Sequence, residues 1–407
     1  MLRPMEGVRV LEVAQFTFVP AAGAVLADWG ADVIKVEHAE SGDAQRGLSR
    51  LMGMPVGGGS FAPLMEHPNR GKRSIGLALE RPEALEVLYD LARTSDVFLT
   101  NFLPGARRRL GIELEDIRKV NPDIIYVRGS GFGSQGAEAE RGGYDSTAFW
   151  ARGGSAMGTT PAGFDGLCSM PAGAYGDSIG GMTIAGGIAG ALFARERTGE
   201  TSVVDVSLLG VGAWASALSV GFALLAGGPL PRMNTGQTAR TNPLVGNYRT
   251  ADDRWLVLAM LQPGRYWPEF CRHVGREDLI EDERFASAEK LMANAEDAAE
   301  ILQEVLGSRT LAEWTTRFAG MEGQWAIAQD AWEVSQDPAL RANGFIAEVT
   351  DAEGRRRELV ASPVQFDQTP ARLTRAPQFA EQTDEILRAL GKSDEDLINL
   401  KISGAVT

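Results

Sequence analysis

VRVLEVAQFTFVPAAGAVLADWGADVIKVE, residues 8–37, decides the fold. Val8–Val13 reads as a buried strand. Ala21–Trp29, built of small and apolar residues, reads as a helix stopped by Gly30, and Asp32–Glu37 as the next strand. A strand, a helix and a strand in so short a span imply parallel strands joined by a right-handed crossover. The alternation continues outward. Ser74–Leu79 is a strand, and Pro82 opens a helix to Ser95 from the favoured first-turn position. Asp96–Phe102 is a strand, Pro104–Leu110 a short helical turn, Glu113–Asn121 a helix and Ile124–Gly129 a strand. Val203–Val206 reads as the last strand, with a buried apolar helix over Ser207–Ala226. The expected fold class is α/β: an open, mostly parallel, Rossmann-like sheet.

A different texture begins after residue 226. Residues 227–247 are a linker by composition. Tyr248–Met260 reads as a hairpin turned at Ala251–Asp253, and helices are expected at Tyr266–Val274, Glu289–Leu306 and Leu311–Phe318. The expected plan is a large α/β domain over 1–226, a small α+β domain over 248–329, a second linker over 330–343, and a segment 344–407 that returns to complete the large domain. Residues 39–68, rich in Gly, Met and Pro, read as a long surface loop.

The chain has 407 residues, enough for two domains and a large core. A formal charge of −14 argues against general nucleic-acid or anionic-membrane binding, so an anionic ligand needs a local basic pocket. Cys168 and Cys271 imply no disulfide framework and fit a reducing, cytoplasmic compartment. The histidines His38, His67 and His273 carry no metal-ligand spacing, so no zinc site is expected. No permanently bound cofactor is expected either. The apolar stretch Leu208–Leu230, the nearest thing to a membrane span, carries glycines and reads better as a buried helix. The N-terminus has no signal-peptide pattern.

Two stretches carry chemistry. In PAGAYGDSIGGMTIAGGIAGALFARERTG (171–199) a helix is expected just after Asp177, ending at Gly199. An aspartate there is ordinarily an N-cap, and the helix dipole favours its ionised form. Gly173, Gly176, Gly180 and Gly181 around it leave room for a ligand or another backbone. GSGFGSQG (129–136) is not a dinucleotide fingerprint, because a polar loop follows it instead of a helix. It reads as a loop that lets a ligand touch the backbone.

Together, GVRVLEV (7–13), LADWGADVIKVE (26–37), NRGKRSI (69–75), DVFLTNFLPGARRRLGI (96–112), GSGFGSQG (129–136), GGYD (142–145), YGDSIGGM (175–182), ERTGETSVVDVSLL (196–209) and EQTDEIL (381–387) resemble the class III CoA-transferase family, the formyl-CoA transferase and carnitine CoA-transferase group. The resemblance implies that Asp177 is the nucleophile. It would form an acyl-aspartyl anhydride and then an aspartyl-CoA thioester, splitting one exchange into easier steps. Backbone N–H groups at the glycines around residue 177 could stabilise the oxyanions. The CoA contacts implied are Asn101, Phe102, Ala106 and Arg109, with Thr17, Ser130, Phe132 and Tyr144 as further binding candidates; by charge, Lys72, Arg73 and Arg109 are candidates for the CoA phosphates. Arg107 and Arg108 are further phosphate candidates. His38 stands where the family has a CoA-binding arginine. The resemblance also implies a homodimer of interlocked subunits.

Departures bear on substrate. Thr17 and Phe132 stand where formyl-CoA transferase has glutamine and tyrosine, and 242–248 is shorter than its glycine-rich loop. With Phe16, Phe18, Phe149 and Trp150, this points to a medium-sized apolar, aryl or branched acid. Two rival readings are an α-methylacyl-CoA racemase and a non-catalytic acyl-CoA binder. The racemase histidine position is Tyr144 here, and a tyrosine, with an ordinary pKa near 10, is a poor base at neutral pH. A pure binder would not need Asp177.

Overall fold

A computed structural model describes residues 2–48, 50–51, 54–55, 60–232 and 241–407. The first part of the chain runs β1 Arg9–Val13, α1 Phe18–Asp28, β2 Asp32–Glu37, the short strands β3 Arg50–Leu51 and β4 Met54–Pro55, α2 Pro63–Asn69 and β5 Arg73–Gly76. It continues with α3 Pro82–Arg93, β6 Val97–Thr100, α4 Pro104–Leu110, α5 Leu114–Val120 and β7 Ile125–Ser130. After a π-helical stretch, Asp145–Arg152, come α6 Ser155–Thr159, α7 Tyr175–Thr198, β8 Val203–Ser207, α8 Leu208–Ala215 and α9 Ala217–Ala226. Residues 39–68 thus hold short elements where a loop was expected, although part of that span lies outside the described residues.

One six-stranded sheet has the order β5-β2-β1-β6-β7-β8, every pair parallel. The order steps outward from β1 one way, then reverses, which puts the switch point between β1 and β6. Side chains alternate faces along a strand, and here each face has its own core. Val10, Val97, Leu99, Ile125 and Val127 pack with α1 and α7. Leu11, Phe98, Ile124 and Tyr126 pack with α3, α5 and the C-terminal residues Ile386, Leu387 and Leu397. A sheet covered on both sides explains why the strands read as near-continuous apolar runs.

Two compact units result. One comprises residues 1–160, 164–232 and 338–407, the other 161–163 and 233–337. In the second, Val245–Arg249, Trp255–Ala259 and Trp325–Ile327 form an antiparallel sheet against helices Pro263–Val274 and Ala295–Leu306. The third strand and the break before Ala295 were not legible in the pattern. Residues 331–342, read as linker, hold two short helices.

The apolar stretch after β8 is not a buried helix. It is two helices bent by 74°. In this chain α9 buries none of its residues, and Trp214, Leu218 and Leu225 are 82%, 75% and 86% exposed.

Candidate active site

A cleft of about 720 Å³ opens at the C-terminal ends of β1, β6 and β7. This is where an open parallel sheet with a reversal in strand order binds its ligands. The strands end in loops here: Gln15 and Phe16 after β1, Asn101 to Ala106 after β6, and Ser130 to Ser134 after β7. Asp177 reaches the same cleft from the first turn of α7.

Asp177 is not an N-cap. Ala174, in the left-handed region at φ 59°, caps α7, and Asp177 is the third helical residue. The helix is carried close to α1 because Gly180 and Gly181 lack side chains. A Cβ on Gly181 would sit 2.5 Å from the Ala21 Cβ. No described residue donates a hydrogen bond to the Asp177 carboxylate. Burial, and then the neighbouring Asp145, push its carboxyl up to about 7. The helix N-terminus was expected to favour the ionised form, but desolvation outweighs it.

Asp145 explains part of this. It begins the π-helical stretch, accepts from the Ser146 N–H at 2.7 Å, and lies against the N–H groups of Gly176 and Asp177. The Asp145 carboxyl is itself raised by burial, and its Oδ2 has no hydrogen bond of normal geometry. The amides at the start of α7, expected to serve as oxyanion donors, therefore already face a carboxylate. Asp145 lies within the GGYD stretch but carried no signal of its own. Its role arises only because the chain folds back onto the start of α7.

On the far side of the first turn, His67 Nε2 is 2.9 Å from Ser178 Oγ, which donates to the Ala174 carbonyl at 2.8 Å. Burial and Arg70 hold His67 down at about 4, so the ring is neutral near pH 7.

Of the residues singled out from sequence, the cleft brings together Asn101, Phe102, Ala106, Arg109, Ser130, Phe132, Tyr144 and Asp177. Arg109 is exposed and makes no ion pair among the described residues, so its guanidinium is available to a phosphate. Arg107 also lines the cleft but is held by Glu113 at 3.1 Å and the Phe102 carbonyl at 2.8 Å. Arg108 pairs with Glu140 at 2.9 Å. His38 lines a smaller adjoining hollow that shares Gln15, Phe102 and Leu110 with the cleft. Its Nδ1 accepts from the N–H groups of Glu40 and Ser41, which leaves Nε2 to donate to Glu80 at 3.3 Å.

Three candidates fall elsewhere. Lys72 is buried, and its Nζ contacts both Glu12 oxygens at 2.8 and 2.7 Å, the Pro20 carbonyl and Asn69 Oδ1. A buried ammonium needs such partners, and none is left for a ligand. Arg73 begins β5 at the opposite edge of the sheet, forked onto Asp32 and paired with Glu385. Thr17 is buried and donates to Gln45 at 2.9 Å.

The comparisons bear on the whole chain. The profile of CoA-transferase family III matches residues 5–383. The (R)-2-hydroxy-4-methylpentanoate CoA-transferase of Clostridioides difficile is 30% identical, with 99% of each chain covered. The cinnamoyl-CoA:phenyllactate CoA-transferase of Clostridium sporogenes is 30% identical, covering 97% of this chain and 95% of that one. A crystal structure of a CaiB/BaiF family protein from Brucella suis superposes with a TM-score of 0.79 at 26% identity, covering 95% and 99%. The chain belongs to CoA-transferase family III.

Proposed function

We propose that this enzyme moves CoA from an acyl-CoA thioester to a carboxylic acid, with Asp177 as the nucleophile. The observation that carries the reading is one carboxyl, poorly solvated and unpaired, in a strand-end cleft that is also lined by an uncommitted arginine. A carboxylate in such a place is a better nucleophile than one in water. Asp177 attacks the thioester carbonyl, the C–S bond breaks, and CoA thiolate leaves. The thiolate attacks the aspartyl carbonyl of the anhydride, expelling the first acid and leaving an aspartyl-CoA thioester. The acceptor carboxylate then attacks that thioester, and the thiolate returns to the new acyl group. Arg109 is the residue for the CoA phosphates, with Asn101, Phe102 and Ala106 as neighbouring contacts. These all lie in the large α/β part, residues 1–226 completed by 344–407.

The acceptor is a medium-sized apolar, aryl or branched acid. Phe16, Phe18, Phe102, Phe132, Tyr144 and Leu208 give the wall an apolar, largely aromatic part, and the relatives above are named for branched and aryl acids. The test is chemical. Enzyme given acyl-CoA and hydroxylamine should lose activity and carry a hydroxamate at residue 177, read by peptide mass. An adduct on another residue, or none, sinks the assignment.

A further inference from the structure

The cleft wall contains a residue that backbone sterics disfavour. Phe16 has φ 64°, a region costly for a bulky side chain. Its N–H donates to Asp43 Oδ1 at 3.1 Å. Gln15 before it is clasped by Asn101, whose Oδ1 accepts from the Gln15 N–H at 3.0 Å and whose Nδ2 donates to the Gln15 carbonyl at 2.6 Å. Thr17 after it is tied to Gln45. Asp43 is itself buried, 2.8 Å from Lys35, whose Nζ also meets Glu12 and the Ala14 carbonyl. A buried charge network therefore ends on the main chain of Phe16, and neutral side chains hold the residues on either side. Strain of this kind persists only where the surroundings over-determine it.

What the network places is an aromatic ring. Phe16 meets Tyr144 edge to face, with centroids 5.5 Å apart and planes at 87°. Both rings line the cleft that holds Asp177, and Tyr144 is 59% exposed. Phe132, in the same wall, is differently placed: the guanidiniums of Arg141 and Arg152 lie 5.0 and 4.9 Å from its centroid. Two rings at right angles that line one cleft make a corner. A third flat ring can stack on one and present its edge to the other, which is the preferred packing of aromatic groups. A linear aliphatic chain gains burial there and nothing more.

We propose that Phe16 and Tyr144 form the specificity-determining corner of the cleft, and that it selects a thioester bearing an aryl group on its acyl chain. Asp43 is the positioning residue that holds Phe16. The identity of the ligand as an acyl-CoA rests on the function proposed above. The test is calorimetric binding of 3-phenylpropanoyl-CoA and hexanoyl-CoA in an Asp177→Ala background, which leaves both thioesters intact. The aryl thioester should bind about threefold to tenfold more tightly, the increment of one or two aromatic contacts. Phe16→Leu should bring that ratio near one by weakening the aryl thioester alone. Tyr144→Leu, at an exposed position that tolerates substitution, should do the same. Asp43→Asn should lower the ratio with Phe16 still present. Equal binding of the two thioesters, or equal weakening of both by Phe16→Leu, overturns the corner. A hydroxamate still trapped at Asp177 would then leave the transferase reading standing. Aryl preference without any hydroxamate would overturn that reading and not the corner.

Discussion

At the scale of the residue, Asp177 combines two demands that conflict. Its carboxyl lies up at about 7 because burial and Asp145 disfavour the charge, while the proposed reaction needs that charge. The rate of transfer should rise about tenfold per pH unit below pH 7 and level off above it, since only the ionised form attacks. Asp177→Ala should lose at least about a thousandfold in kcat/KM, roughly 4 kcal/mol of barrier. Stability runs in the opposite sense. The folded chain holds this proton more tightly than the unfolded chain. The contribution is therefore fully present below the ordinary aspartate range and is lost as pH rises through about 7. Asp177→Asn, which never ionises, should melt above the wild type at pH 8 and level with it near pH 4. An equal melting difference at both pH values would show that the charge is not what the fold resists.

At the scale of the element, α7 can present Asp177 only because it lies against α1 through Gly180 and Gly181. A methyl on Gly181 would stand 2.5 Å from the Ala21 Cβ and 3.1 Å from the Ala22 backbone nitrogen, neither of which can swing away. Gly181→Ala should therefore destabilise by about 1–3 kcal/mol, although alanine is the better helix former. Activity per folded molecule should fall with it, because the helix that moves carries the carboxyl. A denaturation midpoint unchanged or raised would mean that helix propensity outweighs the clash. The close approach could be anticipated from the glycines flanking Asp177. The partner helix could not, because nothing local to 171–199 names α1.

At the scale of the molecule, α9 is the feature that one chain does not explain. Its residues are apolar, none is buried, and Trp214, Leu218 and Leu225 stand in solvent. A patch of this kind ordinarily marks a contact surface. We propose that a second copy of the chain covers it, in the interlocked homodimer implied by the family resemblance. Light scattering at submicromolar concentration should give twice the chain mass, and Leu218→Lys with Leu225→Lys should lower it. A monomeric wild type would refute the proposal.

What the sequence determined by itself was everything carried by local period and punctuation. The strand, helix and strand of Val8–Val13, Ala21–Trp29 and Asp32–Glu37, with strand and helix alternating again from Ser74 to Gly129, point to a parallel sheet. Gly199, at φ 74°, ends α7 where expected. Asn101, Phe102, Ala106 and Arg109 follow from the family resemblance and not from strand order, and they line the cleft. Only the tertiary structure decided which charges are free. Lys72 and Arg73 look like Arg109 in a string of letters, yet one is enclosed by Glu12 and the other is held at the far edge by Asp32. It also decided that Asp145 meets α7, that Asp177 resists ionisation, and that Phe16 takes a strained backbone. Each depends on desolvation and on partners brought from distant parts of the chain. Those are properties of where a group ends up, and local sequence pattern does not encode them.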